Sequence, residues 1–139
     1  MKIPEDAKTV VDGAYNRHYP CTIATSSSDG VPNIGFKGSI IVYDEESLAY
    51  WERSKRTHLE NLQNNPRIAI ISWDGEKRTG YRFRGTAKIV TAGELKNKVW
   101  EMMVDGEKKM DPEMSGFAVI IKVEEILPMG KARQPFKLT

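Results

Sequence analysis

Hydrophobic and polar residues alternate along several short stretches of the chain, the pattern of half-buried β-strands. The clearest case is residues 79–90, where apolar or small residues occupy every second position from Tyr81 and arginine, threonine and lysine lie between them. The turn residues 27–30 separate two further strand patterns, which are expected to form a hairpin. Stretches rich in β-branched and aromatic residues complete the predicted strands: residues 19–26, 31–37, 39–43, 48–52, 67–73 and 116–126.

Apolar residues at helical spacing predict three helices. The first covers residues 4–17, the second is a short helix that ends before Pro66, and the third ends near residues 105–106. One face of the third helix is expected to be buried: Leu95, Val99, Met102 and Met103. Two capping-box spacings mark helix starts at which the threonines are expected to be N-caps: Thr57 with Glu60, and Thr91 with Glu94.

These elements predict a mainly β protein with short helices. Its 139 residues suit a single domain, residues 1–139. The pattern gives about six or seven strands in meander order. A closed or partly closed antiparallel barrel would bury such a sheet without leaving open edges.

Composition and charge narrow the class of protein. The chain is 40% hydrophobic and 29% charged, which is typical of a folded globular domain. Its net charge of +2 is too small to produce the strong positive field that is typical of a nucleic-acid binder. A single cysteine, Cys21, and the lack of a signal peptide or membrane-length apolar run favour a cytoplasmic location away from membranes.

A cluster of basic and hydroxyl residues lies between the strand at 48–52 and the second helix: Arg53, Ser54, Lys55, Arg56 and Thr57. A helix start exposes unpaired N–H groups and the positive end of the helix dipole, which suit a phosphate group when cationic side chains are near. The turn therefore indicates a phosphate-binding site. The alternative is a capped surface helix with solvated charges, and a capping Glu60 would compete with phosphate for the same amides.

Familiar catalytic motifs are absent from the sequence, including the phosphate-binding and dinucleotide-binding glycine loops and paired cysteines. His18 and His58 lie apart without other ligands at suitable spacing, so we expect no metal site. Cys21, inside a predicted strand, is expected to be a core residue rather than a nucleophile. Any chemistry is therefore expected to come from a cofactor.

The order of these signals resembles a known family. The residues that carry the resemblance are Cys21 to Thr25 followed by Asp29 to Asn33, then 48–51, 54–70 and 83–87. The most telling piece is Asn61-Leu with Asn65-Pro66, followed at once by an apolar strand and then by Gly-Thr-Ala on the next strand. This arrangement is similar to that of the FMN-binding split-barrel family related to pyridoxamine 5′-phosphate oxidase.

The resemblance implies a six-stranded antiparallel split barrel that forms a homodimer and holds FMN at the subunit interface. The family's phosphate-binding residues correspond here to Arg53, Ser54, Lys55, Arg56 and Thr57, with Asn61 close by. The strand that lies along the flavin ring corresponds to Gly35, Phe36, Lys37, Gly38 and Ser39.

The residues of that strand suit the role in two ways. Its glycines would let the backbone approach a planar ring, and Lys37 could stabilise negative charge on the reduced flavin. The alternatives are a bulge at a barrel corner and a solvated lysine. Trp73 and Arg84 are further candidates for the surroundings of the ring, with core or dimer packing as the alternative.

The sequence departs from the family at two places. Many relatives have a lysine where this chain has His58, which is expected either to touch the phosphate or to face solvent. The chain also lacks the C-terminal tryptophan, arginine and histidine signature of the true oxidase, so oxidation of pyridoxamine phosphate is not expected.

The first functional hypothesis is thus an FMN-dependent oxidoreductase or electron carrier that reacts with a small molecule or a redox protein. One alternative is a binding module that holds flavin or a phosphorylated ligand without turnover. Another is a small nucleic-acid binder that uses the basic turn and the arginines of residues 79–90.

Overall fold

Seven antiparallel strands and four helices make up residues 1–133, the part of the chain that the computed structural model describes. No helix in this part is long and apolar enough to cross a membrane. The sequence also predicts a basic, proline-bearing tail over residues 128–139; the last strand extends into it as far as Gly130, and the end of the tail, with Phe136, lies outside the described residues. In chain order the elements are α1 (Glu5–Gly13), β1 (Cys21–Ser26), β2 (Pro32–Lys37), β3 (Ile41–Asp44), β4 (Ser47–Glu52), α2 (Thr57–Asn64), β5 (Arg67–Asp74), β6 (Thr79–Val90), α3 (Glu94–Met102), α4 (Asp105–Met110) and β7 (Phe117–Gly130).

The strands form one sheet in the order β2-β1-β5-β6-β7-β4-β3. The predicted hairpin of β1 and β2 is confirmed, with Ile23 opposite Gly35. The meander order is wrong, because β1 also pairs with β5, and β4 pairs with β7. The reason is that α2 carries the chain from β4 past β6 and β7 to β5. The described sheet also has seven strands, whereas the family resemblance implied six.

The two edge strands of the sheet, β2 and β3, do not pair with each other. Only residues 38–40 connect them in sequence. Across the gap, the Lys37 Nζ at the end of β2 lies 2.9 Å from Oε2 of Glu52 on β4, the neighbour of β3. The sheet therefore curls into a barrel that is split between its edges and bridged there by side chains.

The inside of the barrel is filled by alternate side chains of its strands. Phe83 on β6 is fully buried, as the alternating pattern of that strand predicted. Cys21 lies in the same core, and burial raises the pKa of its thiol, which fits the predicted packing role. Helix α1 closes one end with its buried face: Ala7, Val10 and Val11.

Helix α1 ends at Gly13 and is therefore shorter than the helix predicted for residues 4–17. The next residues form a turn that closes with His18 in the left-handed conformation, at a φ of 60°. The Tyr19 N–H donates to the Ala14 carbonyl and the His18 N–H to the Tyr15 carbonyl, each at 3.1 Å. This is the hydrogen-bond pattern of a Schellman motif, which terminates a helix.

Neither predicted N-cap is confirmed: the N-cap of α2 lies one residue before Thr57, and that of α3 lies two residues after Thr91. Thr57 is the first helical residue of α2, and its N-cap is Arg56. Helix α3 begins at Glu94 after Gly93, whose φ of 94° is a conformation that favours glycine. The backbone of these preceding residues sets each helix start, so the threonines do not cap. Met102, expected on the buried face of α3, is 38% exposed.

Helix α4 was not predicted, and a buried carboxylate next to it fixes this part of the chain over β4. Asp111 Oδ2 accepts hydrogen bonds from the Trp51 indole at 2.8 Å and from the Gly116 N–H at 2.7 Å. Asp111 Oδ1 accepts from the N–H and the hydroxyl of Ser115. Burial acts to raise the pKa of Asp111, but these hydrogen bonds outweigh it and lower the pKa far below its ordinary value.

We expect Asp111→Asn to lower the free energy of unfolding by about 1.5–3 kcal/mol at neutral pH, because hydrogen bonds to a charged acceptor are lost. The ionised form stabilises the fold above the unfolded-state pKa, near 3.8, and this contribution is lost as the pH falls further. Urea unfolding should therefore show a difference between wild type and variant that shrinks below that pH. A difference that does not change with pH would contradict the role of the charge.

Candidate functional site

A buried carboxylate, Glu52 at the end of β4, organises the basic turn. Its Oε2 accepts hydrogen bonds from Lys37 Nζ at 2.9 Å, the Ser54 hydroxyl at 3.1 Å and the Lys55 N–H at 3.3 Å. These contacts accompany a left-handed Lys55, at a φ of 52°, and an N-cap residue, Arg56, whose backbone is neither helical nor extended. This geometry of the turn is the reason that α2 starts at Thr57, one residue earlier than a Thr57 cap would require.

A cavity of about 220 Å³ lies between the end of β2, the end of β4 and α4. It brings together two segments that the sequence separates by more than a dozen residues. Six predicted site residues line it: Phe36, Lys37, Gly38, Ser39, Arg53 and Ser54. Trp51 and Glu107 complete the lining. The structure thus places the predicted flavin-facing strand beside the predicted phosphate-binding turn.

The two cations of this cavity are each paired with a carboxylate. Lys37 is mostly buried and pairs with Glu52, so it is not a solvated lysine. Arg53 Nε lies 3.2 Å from Oε1 of Glu107 on α4. The cavity is therefore close to neutral, and neither cation is a free positive charge beside a ligand.

The other two cations of the turn, Lys55 and Arg56, follow Ser54 in the sequence. Within residues 1–133, the ion pairs of the turn involve Arg53 but neither Lys55 nor Arg56. Lys55 Nζ lies 4.1 Å from the centroid of the Phe117 ring, and Arg56 is exposed. Among the described residues, no side chain caps the N-terminus of α2. Its amides thus remain open to an anion, and the exposed Glu60 does not compete for them.

His58 neither faces solvent nor belongs to the cavity lining. Its Nδ1 lies 2.8 Å from the Thr25 hydroxyl, and its Nε2 lies 3.2 Å from the Asn33 amide nitrogen. The predicted site residue Asn61 donates to the same Thr25 hydroxyl at 3.0 Å. Gly35 lies against the His58 ring, because a Cβ there would come 3.1 Å from Nε2. Burial lowers the pKa of His58 below 6.5, Lys37 lowers it further, and Glu52 opposes both.

Two predicted candidates for the ring's surroundings lie outside this cavity. Trp73 packs against the backbone at Gly80 and Gly130, about 20 Å along β5 from the end that adjoins α2. Arg84 pairs with Glu125 at 3.3 Å and lines a separate groove of about 550 Å³ across β1, β5 and β6. Within a single copy of the chain, the structure does not bring either residue to the turn.

Several residues of the site were not predicted from the sequence. Glu52 stands directly before the basic turn, and a carboxylate next to three cations is a signal that could have found it. Glu107 gave no such signal, because α4 was not predicted. Thr25 and Asn33 looked like ordinary strand residues, and only the pairing of β1 with β2 brings them to His58.

The fold and the cavity together define a split-barrel protein whose candidate site lies at the split. Residues 7–128 match the family model described as pyridoxamine 5′-phosphate oxidase. The chain is also 35% identical over 118 residues to an uncharacterized protein of Methanocaldococcus jannaschii, covering 84% of this chain and 76% of that protein. The chain therefore belongs to the pyridoxamine 5′-phosphate oxidase family, as the resemblance predicted.

Solved structures share this fold. HupZ of Group A Streptococcus is 26% identical, with a TM-score of 0.78 over 96% of this chain and 99% of that one. HutZ of Vibrio cholerae, named a heme storage protein, is 18% identical, with a TM-score of 0.72 over 96% and 98% of the two chains. At that identity the similarity to HutZ concerns the fold alone.

Lys37→Met should lower the free energy of unfolding by about 3–5 kcal/mol, because it leaves the Glu52 carboxylate buried without its cation. The double variant Lys37→Met/Glu52→Gln removes both charges and should recover much of the loss. Chemical denaturation of the two variants and of Glu52→Gln alone completes the double-mutant cycle. Additive effects would show that the pair does not interact.

Proposed function

We propose that this protein binds FMN and acts as an oxidoreductase or electron carrier, with FMN supplying the redox chemistry. The observation that carries the proposal is the meeting of two segments at one cavity. Residues 36–39 and the basic turn line it together, although they come from different strands. Family membership supports a flavin rather than an unrelated phosphate ester.

The residues present fit the phosphate group of FMN. The uncapped N-terminus of α2 offers backbone N–H groups, and Lys55 and Arg56 add positive charge outside the two ion pairs of the cavity. Thr57, as the first helical residue, can add a hydroxyl. The Ser54 hydroxyl and the Lys55 N–H already bind Glu52, so their part is to shape the turn.

The ring of a flavin needs more room than this cavity offers. The cavity of about 220 Å³ is smaller than the roughly 300–1,000 Å³ of typical small-molecule sites. Beside it, the edge strand β2 exposes Ile34 by 71% and Phe36 by 75%. These apolar side chains favour a homodimer in which a second copy covers β2 and completes the ring site.

The side chains of the chain itself would bind and position the cofactor in this proposal. Lys37 and the Gly38 backbone lie where the ring would enter, and the Glu52 carboxylate fixes the ammonium in place. Because the pair is nearly neutral, Lys37 would act through its N–H donors rather than as a full charge. The reacting partner would approach the open side of the cavity.

The alternative function is a module that holds flavin or a phosphorylated ligand without turnover. The visible spectrum of purified protein, before and after addition of a nicotinamide donor, separates the cases. A flavin spectrum that bleaches with the donor and recovers with an acceptor supports the oxidoreductase, and one that resists both supports the module. A Soret band would instead indicate heme, the ligand in the name of HutZ.

Replacing Lys55 and Arg56 together by alanine should weaken FMN binding far more than riboflavin binding. Each lost charge-assisted contact to the phosphate is worth about 1.5–3 kcal/mol, and riboflavin has no phosphate. The matched control is Lys77→Ala/Arg78→Ala, which changes the same dipeptide in an exposed turn after β5. Isothermal titration of both ligands measures the effect. Equal losses for FMN and riboflavin would show that the phosphate binds elsewhere.

Ile34→Asp should convert the dimer to a monomer and weaken FMN binding, because it places a charge in the proposed interface without touching the lining of the cavity. Met110→Asp is the control, since Met110 at the end of α4 is 63% exposed, does not belong to β2 and does not line the cavity. Sedimentation velocity reports the assembly, and fluorescence titration reports the flavin. A wild-type monomer that binds FMN tightly would contradict the proposed interface.

A further inference from the structure

A buried polar cluster holds the free edge of the barrel against α2. Within residues 1–133, strand β2 has a strand neighbour on one side only, β1. On its inner side, side-chain hydrogen bonds join Asn33 to His58 and Lys37 to Glu52. Thr25 and Asn61, both buried, complete the cluster around the imidazole.

The partners of His58 fix the state of its ring. With the Asn33 amide oriented so that its nitrogen faces the ring, that nitrogen donates, and Nε2 of His58 accepts and carries no proton. Nδ1 then carries the proton and donates to the Thr25 hydroxyl oxygen, which also accepts from Asn61. The neutral Nδ1–H form satisfies all of these contacts at once. A second proton, on Nε2, would face the Asn33 N–H₂ group as donor against donor.

The charges around the ring also favour the neutral form. Lys37 faces His58 from β2 and repels a second cation there, while Glu52, from β4, is already paired with that lysine. From β1 the ring meets the Thr25 hydroxyl, and its own helix presents the positive end of its dipole. Burial and Lys37 lower the pKa of His58 more than Glu52 raises it.

We propose that His58 is a positioning residue of the flavin site, which holds Asn33, Gly35 and Lys37 of β2 in place only as a neutral imidazole and releases them when it is protonated. The proposal rests on the proposed function for its effect on FMN. Both ring nitrogens are occupied by protein partners, so His58 acts through β2 and is not itself a ligand of the phosphate.

The sign of the pH dependence follows from the lowered pKa. A group that is harder to protonate in the folded state stabilises that state above its unfolded pKa of 6.5. This stability is lost as the pH falls from 6.5 to the folded pKa and then stays constant. FMN binding should weaken at a lower pH than this, as the pH falls through the folded pKa, because only there does the imidazole of the folded protein gain its proton and the strand beside the ring lose an anchor.

The test compares wild type with His58→Gln, whose amide can donate and accept but does not titrate. FMN dissociation constants are measured between about pH 8 and about pH 5, each normalised to the value at the higher pH. Titration of the phosphate affects both proteins equally and cancels. The wild type should weaken about tenfold more than His58→Gln, the equivalent of one hydrogen bond. His18→Gln, at the exposed histidine, should follow the wild type.

Two measurements without flavin judge His58 independently of the proposed function. Nitrogen NMR of the ligand-free protein should show the Nδ1–H tautomer and a pKa below 6.5. As the pH is lowered below 6.5, the free energy of unfolding of the wild type should fall more steeply than that of His58→Gln. If FMN does not bind at all, the proposed function fails while these two results still decide the role of His58.

Three outcomes would overturn the inference. They are an Nε2–H tautomer, a His58 that titrates at or above 6.5, and wild-type binding that tightens relative to His58→Gln as the pH falls. The last result would make His58 a direct cationic ligand of the phosphate.

Discussion

The candidate site depends on the carboxylate of Glu52, which is buried and joins the edge strand β2 to the turn before α2. A buried charge is costly unless it is paired and hydrogen-bonded, which favours the formation of the contacts to its Oε2 atom together. Here they are the Lys37 ammonium from the edge strand, the Ser54 hydroxyl and the Lys55 N–H. One side chain thereby joins the two edges of the split barrel and sets the turn that starts α2.

The same pairing divides the charges of the site by role. The carboxylates of Glu52 and Glu107 neutralise Lys37 and Arg53 at the cavity, where a ring would lie. Lys55 and Arg56, next to the amides of α2, keep their charge for an anion. A basic cluster that looks uniform in the sequence thus contains cations with a carboxylate partner and cations outside those ion pairs. The proposed phosphate site and the stability of the barrel would therefore depend on different residues.

The open edge of the barrel links the fold to assembly. In the part of the chain that the structure describes, strand β2 lacks a strand neighbour on one side, its inner face is held by side chains, and its outer face exposes Ile34 and Phe36. An exposed apolar edge strand is a liability unless something covers it. A site that one chain leaves incomplete and a strand that needs cover lie side by side. A second copy on β2 would meet both needs.

The sequence by itself determined the strands, the hairpin of β1 and β2 and the basic turn, because alternation, turn residues and local charge depend on near neighbours. The order of motifs also determined the family. Only the tertiary structure decided that β4 pairs with β7, that Glu52 and Glu107 neutralise two of the cations, and that Thr25 and Asn33 enclose His58. These contacts join residues far apart in the chain, and local patterns carry no information about which distant partner a side chain meets.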